Sequence, residues 1–248
     1  MHCGAEIFIH FDSHNFMSTQ ARILVFDTFG TVVDWHGSIV KELQSLFPDL
    51  NADAFAKAWR EQYHPMMQKV MSKELPWTKI DDLNRLILNH ILDEFGLSHL
   101  NEDQRRQLNF VWHRLTPWPD SVQGLQRLKA NFLIAPLSNG NMSLLTNMAK
   151  AAGLPWDCIL SAEIFKAYKP DPRTYLGVLE LFELKPSEVM MVAAHASDLH
   201  AARSCGLQTA FIHRPLEWGT NPPQPAHLHT EFDLTCTSIE DLACQLDC

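Results

Sequence analysis

The sequence predicts an α/β protein, a Rossmann-like and mostly parallel sheet core carrying an inserted helical cap domain. Short apolar runs that stop abruptly at polar or small residues recur at 22–26, 132–137, 158–160, 189–192 and 209–212. Helix-length segments separate these runs, and from 35 to 116 the strand grammar disappears. Strands alternating with helices imply a parallel sheet, and the interruption implies an insert.

The first run, I-L-V-F at 23–26, closes in Asp27, Thr28, Phe29, Gly30 and Thr31 and reads as a buried parallel strand. The insert then shows apolar residues at three- and four-residue spacing over 52–70 and 80–95, with Pro48, Pro65, Pro76 and the Pro117/Pro119 pair as punctuation. It leaves just after the first strand and can fold over that strand's end. The expected division is therefore a core of 21–34 and 117–248, a helical cap of 35–116, and a poorly ordered extension or misplaced start over 1–20. Residues 221–225, N-P-P-Q-P, read as a stiff surface loop.

At 248 residues, with 46% hydrophobic and 20% charged, the chain can bury a full core, which excludes disorder and fibre. Twenty Lys+Arg against 29 Asp+Glu give a net charge of -9 with no basic run, so no general affinity for nucleic acid or an anionic membrane is expected. An anionic substrate must meet a local positive site. The six cysteines, Cys3, Cys158, Cys205, Cys236, Cys244 and Cys248, form no CxxC pair and no zinc-spaced cluster. Free thiols in a reducing compartment, the cytoplasm, are the expectation. No apolar run reaches the length of a membrane span, and 1–20 lacks the pattern of a secretion signal.

In parallel sheets ligands sit beyond the carboxyl ends of the strands. Four strand ends offer chemistry: Asp27 after the first, Ser138 and Asn139 after the second, Lys169 beyond the third, and His195 with Asp198 after the fourth. Each alone fits ordinary turn or helix-cap chemistry. Together they put two acids, a lysine, a histidine and two neutral donors at one sheet edge.

The order V-F-D-T-F-G-T at 25–31, L-S-N-G at 137–140, Y-K-P-D-P at 168–172 and a strand closing at Asp198 resembles the haloacid dehalogenase (HAD) superfamily. Within it, A-W-R at 58–60, L-S-N-G-N at 137–141 and Y-K-P-D-P-R-T-Y at 168–175 resemble the type II L-2-haloacid dehalogenases. The likeness runs from Arg22 to about Leu242. It implies that Asp27 attacks the halogen-bearing carbon of a short 2-haloalkanoic acid and forms an aspartyl ester, a job an ionised carboxylate does without a base. Lys169 would keep Asp27 anionic. Arg60, with Asn139, would receive the halide, and the backbone amides of Thr28 and Phe29, with Ser138, would grip the substrate carboxylate. Asp198 would orient or deprotonate water, directly or with Lys169, and Thr31 and Tyr175 would brace the group. Hydrolysis would give a 2-hydroxy acid of inverted configuration and a halide.

Two departures carry information. A phosphatase of this superfamily needs a second acid two residues after its nucleophile to protonate the leaving alcohol, and Phe29 stands there. Halide needs no proton, so the residue suits carbon–halogen cleavage. Where the dehalogenase pattern reads Ser-Ser-Asn, this chain has Ala193, Ala194 and His195. An imidazole there is either structural or a base or halide-side donor. His195 also stands near where magnesium-dependent relatives place an acid, so no catalytic metal and no cofactor are expected. The A-H-A-S-D-L-H-A-A-R form and Pro76-Trp77 look like a branch that includes enzymes acting on fluoroacetate. Trp59, Met66, Met67, Val70 and Trp77 are read as packing before pocket, and the family's caps extend the expectation to a homodimer. The alternatives are a magnesium-dependent phosphomonoesterase of the same fold and a non-catalytic HAD-like binding protein.

Overall fold

The computed structural model describes residues 19–219 and 231–248. Residues 1–18 of the expected extension and the 221–225 loop lie outside the described residues. The chain opens with β1 (Ile23–Phe26) and β2 (Val33–Asp34), followed by α1 (Trp35–Leu46), α2 (Ala52–Glu61), α3 (Tyr63–Met71), α4 (Ile80–Ile91) and α5 (Glu102–Asn109). A 3-10 turn at Phe110–Arg114 leads to β3 (Thr116–Pro117), α6 (Ser121–Lys129), β4 (Leu133–Ser138), α7 (Met142–Ala152), β5 (Leu160–Ser161) and α8 (Ala162–Phe165). The rest is α9 (Pro172–Phe182), β6 (Val189–Ala193), α10 (Ala196–Ser204), β7 (Gln208–Ile212), β8 (Leu234–Cys236) and α11 (Ile239–Gln245).

Six strands form one parallel sheet in the order β5-β4-β1-β6-β7-β8. The wholly apolar runs are explained by burial on both faces. In β1, Leu24 and Phe26 enter one core while Ile23 and Val25 enter the other, and β6 divides Met190 and Val192 from Val189, Met191 and Ala193 in the same way. The chain order reverses around β1, with β4 on one side and β6 on the other. The crevice beyond its carboxyl end is where a parallel sheet of this kind opens.

The helices α1 to α5 leave after β2 and return at β3, and those two short strands pair antiparallel as a neck. The apolar stretch 52–70 is not one helix: it breaks at Gln62, three residues before Pro65. A proline has no N–H and its ring clashes with the carbonyl four residues back, so a helix starts afresh just ahead of it. The strand expected at 158–160 is shorter and shifted to Leu160–Ser161, and β8 had no expectation because three residues carry too little pattern. Among the described residues no helix is long and apolar enough to cross a membrane.

The cap shares its core with the sheet. Trp35, Trp59, Trp112 and Phe29 pack edge-on or stacked at centroid separations of 5.6–6.5 Å. A polar latch adds direction: Asn141 Nδ2 donates to Asp81 Oδ2 at 2.9 Å, and Asn141 Oδ1 accepts from the Asp81 backbone N–H at 3.1 Å. His113, 2.9 Å from the other Asp81 oxygen, meets Asn147 on α7 through its second nitrogen.

Past β7 the chain turns back over the crevice. Arg214 fixes this turn by a two-pronged bond to Asp120, both prongs 2.8 Å, and its Nε donates to the Thr31 carbonyl at 2.9 Å. Removing one partner of such a buried pair strands the other charge. Asp120→Ala should cost about 3 kcal/mol, the lower end of the range for breaking a buried ion pair, read as a lowered midpoint in urea unfolding.

Candidate active site

Asp27 follows the last residue of β1, where its backbone N–H still bonds to Val192 of β6 at 2.9 Å. It is buried, and both carboxylate oxygens are occupied. Oδ1 accepts from Lys169 Nζ at 3.0 Å. Oδ2 accepts from Thr31 Oγ1 and faces His195 Nδ1, each at 2.9 Å. The Thr31 hydroxyl accepts from the Ala194 N–H, which directs its proton to Asp27. Burial opposes a charge on Asp27, but Lys169 and His195 outweigh it and hold the carboxyl far below its usual range.

Lys169 also donates to Asp198 Oδ2 at 2.5 Å, while the Tyr175 hydroxyl donates to Asp198 Oδ1 at 2.5 Å. Both Asp198 oxygens accept, as an ionised carboxylate does. Burial raises the Asp198 carboxyl above its ordinary value against the pull of Lys169, and the Asp27 charge adds to the rise. Its anion is thus a stronger base than a surface aspartate. Burial disfavours the Lys169 charge, yet Asp198 and Asp27 overcome this and raise it. Burial first, then Asp198, push Tyr175 up, so it stays a phenol.

Asn139 reaches the cavity and is also bound to the neighbouring loop. Its carbonyl accepts the Lys169 backbone N–H at 2.7 Å and its Nδ2 lies 3.4 Å from the Lys169 carbonyl, so it splints the loop that aims the ammonium. Ser138 and Thr28 are buried behind the cavity wall: Ser138 accepts from the Gly140 N–H, and the Thr28 hydroxyl has no partner among the described residues. Phe29 does reach the cavity, as a ring.

Arg60, at the end of α2, is buried with its guanidinium carbon 4.3 Å from the Tyr63 ring centroid, 5.5 Å from Trp35 and 5.8 Å from Phe29. Its Nη1 is buried and has no partner among the described residues. A desolvated cation lacking a counter-ion is an anion site. Arg60, Asp27, Asn139, Lys169, His195 and Asp198 line one cavity of about 300 Å³. Six residues that were expected to act together therefore do meet, with Thr31 and Tyr175 behind them. Trp59, Met67 and Val70 are core, and Met66 and Trp77 pack against it, as read from their spacing.

Sequence reasoning missed Tyr63, His64 and Trp218 of the cavity wall. Tyr63 and His64 lie three and four residues past Arg60, a spacing that would have signalled them on an unbroken helix. His64 is lowered by burial and by the neighbouring Arg60 and His195, which keeps it neutral. The larger omission is Glu217. This buried carboxylate in the turn after β7 faces His195 Nε2 at 3.0 and 3.1 Å and accepts from Trp35 Nε1 at 3.1 Å. It stands just past a fifth strand end, the one left out of the list of candidates. Among the described residues no group of three or more His, Cys, Asp or Glu is arranged to hold a metal ion.

A buried carboxylate at the tip of the central strand, held by a lysine from a neighbouring loop under a helical insert, defines a hydrolase core of the HAD type. Residues 21–206 match the model of the haloacid dehalogenase-like hydrolases. The chain belongs to that family. It is 31% identical to (S)-2-haloacid dehalogenase 4A of Burkholderia cepacia over 84% of this chain and 88% of that protein. It is 31% identical to (S)-2-haloacid dehalogenase 1 of Pseudomonas sp. (strain CBS-3), over 81% and 89%. Among solved structures, the L-2-haloacid dehalogenase PA0810 matches with a TM-score of 0.87 at 45% identity, covering 91% of this chain and 99% of that one. The defluorinating L-2-haloacid dehalogenase Rha0230 matches with 0.88 at 42%, covering 94% and 99%.

His195 carries a pH signature. Burial works against its charge, but Glu217 first and Asp27 with it push the imidazole up to about 10. A native pKa above the unfolded value of about 6.5 means that the native state binds the extra proton between these values. The contribution to stability is full below about pH 6.5 and is lost as pH rises toward about 10. The fall in melting temperature over that window should be shallower in His195→Gln than in the parent, as thermal unfolding at stepped pH will measure.

Proposed function

We propose that the chain hydrolyses short 2-haloalkanoic acids, haloacetates and 2-halopropionates, to 2-hydroxy acids through an aspartyl ester on Asp27. The observation that carries this reading is the Arg60 guanidinium, its buried Nη1 without a partner among the described residues, sharing a small cavity with a carboxylate held ionised. One group can attack carbon, and the other can receive an anion that departs. Asp27 Oδ2 already accepts two hydrogen bonds and Oδ1 only one, from Lys169, so Oδ1 keeps a lone pair for attack. Halide would collect in the ring of Phe29, Tyr63 and Trp35 under Arg60, where a low dielectric strengthens the pull on developing charge. The insert 35–116 acts as the cap that supplies Arg60. The backbone amides of Thr28 and Phe29 remain the candidates for the substrate carboxylate.

In the second half-reaction water attacks Cγ of Asp27 and gives a proton to Asp198. Lys169, touching both Asp198 and Oδ1, protonates the departing oxygen and is restored from Asp198. The phosphatase alternative is disfavoured by Phe29, whose ring packs against Trp112 in place of an acid. It is disfavoured also by His195, an imidazole that faces Asp27 Oδ2 in place of an acid. The kinship with a defluorinating enzyme supports fluoroacetate as a substrate. A second copy of the chain and the cytoplasm complete the reading; size-exclusion chromatography tests the former.

Halide should be released from 2-chloropropionate or fluoroacetate at a rate that a chelator does not change, and Asp27→Asn should release none. Ion chromatography checks both, and intact parent protein that frees no halide from any haloacid in a chloro-, bromo- and fluoro-substituted panel removes the proposal. One turnover in heavy-oxygen water should place the label in Asp27, not in the product, read by peptide mass spectrometry.

A further inference from the structure

His195 sits between two carboxylates. Its Nδ1 faces Asp27 Oδ2 at 2.9 Å, and its Nε2 faces both oxygens of Glu217 at 3.0 and 3.1 Å. Both acids are held in their ionised forms: Oδ2 of Asp27 also accepts from Thr31, Oε1 of Glu217 accepts from Trp35 Nε1, and against burial the charges beside them lower both carboxyls. Against burial, Glu217 and Asp27 both favour the charged ring, and an imidazolium donating from both nitrogens is the form that matches two ionised carboxylates. It has no free nitrogen with which to take a proton from water, so the base role open to it on sequence grounds falls to Asp198 alone.

The fold goes to some length to place Glu217. Gly30 of the V-F-D-T-F-G-T motif has φ +85, and a methyl there would stand 2.2 Å from Glu217 Oε1. The turn carrying Glu217 is pinned by Arg214 to Asp120 and to the carbonyl of Thr31, the residue that bonds Asp27. Glu217 itself is walled off from solvent, while the His195 side chain is 32% exposed to the cavity. A glutamate that only capped the Trp35 indole would not need a histidine on its second oxygen.

We infer that Glu217 and His195 serve the hydrolysis of the ester: Glu217 holds the ring doubly protonated, and its Nδ1–H stabilises the oxyanion on Asp27 Oδ2. The inference rests on the dehalogenase reading above. Once Oδ1 has displaced halide, Oδ2 becomes the ester carbonyl oxygen and still faces Nδ1–H and the Thr31 hydroxyl. Water adds to Cγ, one of its protons passes to Asp198, and the carbonyl electron pair moves onto Oδ2 between those two donors. The pair then re-forms C=O, the Cγ–Oδ1 bond breaks, and Oδ1 leaves with a proton from Lys169 as the product hydroxyl. The water oxygen stays on Asp27, whose remaining proton goes to solvent. His195 neither gains nor loses a proton over the cycle. His195 is a catalytic residue in this step, and Glu217 is a positioning residue that acts through it.

The experiment separates the two half-reactions with 2-chloropropionate. Glu217→Gln keeps size and an acceptor for Trp35 but removes the charge that holds the second proton. Its kcat should fall on the order of 10²-fold, the scale for losing one oxyanion donor. KM should fall with it, because kcat/KM reports the steps through halide release and those do not use the dyad. Rapid quench should show one equivalent of halide in a burst, and mass spectrometry should show ester accumulated on Asp27. His195→Gln should give the same split, and the double variant should be no slower than His195→Gln alone, since one residue works through the other. Unchanged kcat in Glu217→Gln, or loss of the burst together with turnover, overturns the inference while parent halide release leaves the dehalogenase reading standing. A parent that frees no halide removes both.

Discussion

One ammonium group holds the site in working order. Lys169 Nζ lies between Asp27 and Asp198, 3.0 Å from the first and 2.5 Å from the second, and all three side chains are buried. Two desolvated carboxylates this close could not both stay ionised without it, because like charges in a low dielectric drive one acid to keep its proton. With Lys169 in place the two acids are separated in character instead: one is depressed into a permanent nucleophile, the other raised toward a useful base. The surrounding structure serves that placement. Asn139 clamps the lysine backbone, Tyr175 holds the far oxygen of Asp198, and Thr31 holds the far oxygen of Asp27.

The same logic extends outward to a balanced set. Asp27 and Asp198 face the cavity with Lys169, His195 and Arg60, and Glu217 stands behind His195. Two of the cations are spent on acids. Arg60 is not, and it is instead wrapped in Tyr63, Trp35 and Phe29 with one nitrogen unsatisfied. Aromatic faces offer a guanidinium a partial negative charge at low cost in exposure, which lets the cap carry a cation into an apolar wall without pairing it. An incoming anionic substrate meets this reserve despite the chain's overall charge of -9.

Most of this was legible because parallel sheets bring strand ends together. Asp27, Asn139, Lys169 and Asp198 are spread over more than half the chain, yet β4, β1 and β6 are neighbours and the order of apolar runs announces it. The helical spacing of 52–70 and 80–95 showed the insert, though not the break at Gln62, and the phosphatase reading weakened on Phe29 and His195. What escaped was geometry without pattern. Ser138 is a candidate by residue type, but its hydroxyl accepts from the Gly140 amide, a choice of rotamer no sequence displays. The resemblance names Asn139 for its part at the halide, whereas its cross-loop bond to the Lys169 backbone is a contact between distant segments that no local pattern displays. Glu217 sits in an irregular turn fixed by an ion pair to Asp120, 97 positions earlier in the chain. It could have been found by applying the strand-end rule to β7 as it was applied to the four strands before it.

Each cation of the set matches one place where charge resides during the proposed cycle. In the resting site the charge is on Asp27, under Lys169. Displacement moves it to the halogen, under Arg60. Water attack brings it back to Asp27, but to the other oxygen, which Lys169 does not touch and which His195 and Thr31 do. A neutral serine or amide at position 195 would donate there too, with a weaker bond to developing charge. An imidazolium donates more strongly, but it survives in a cavity wall only while a second carboxylate stands behind it. The buried glutamate, the bare glycine that makes room for it and the pinned turn that delivers it are therefore consequences of putting histidine at 195.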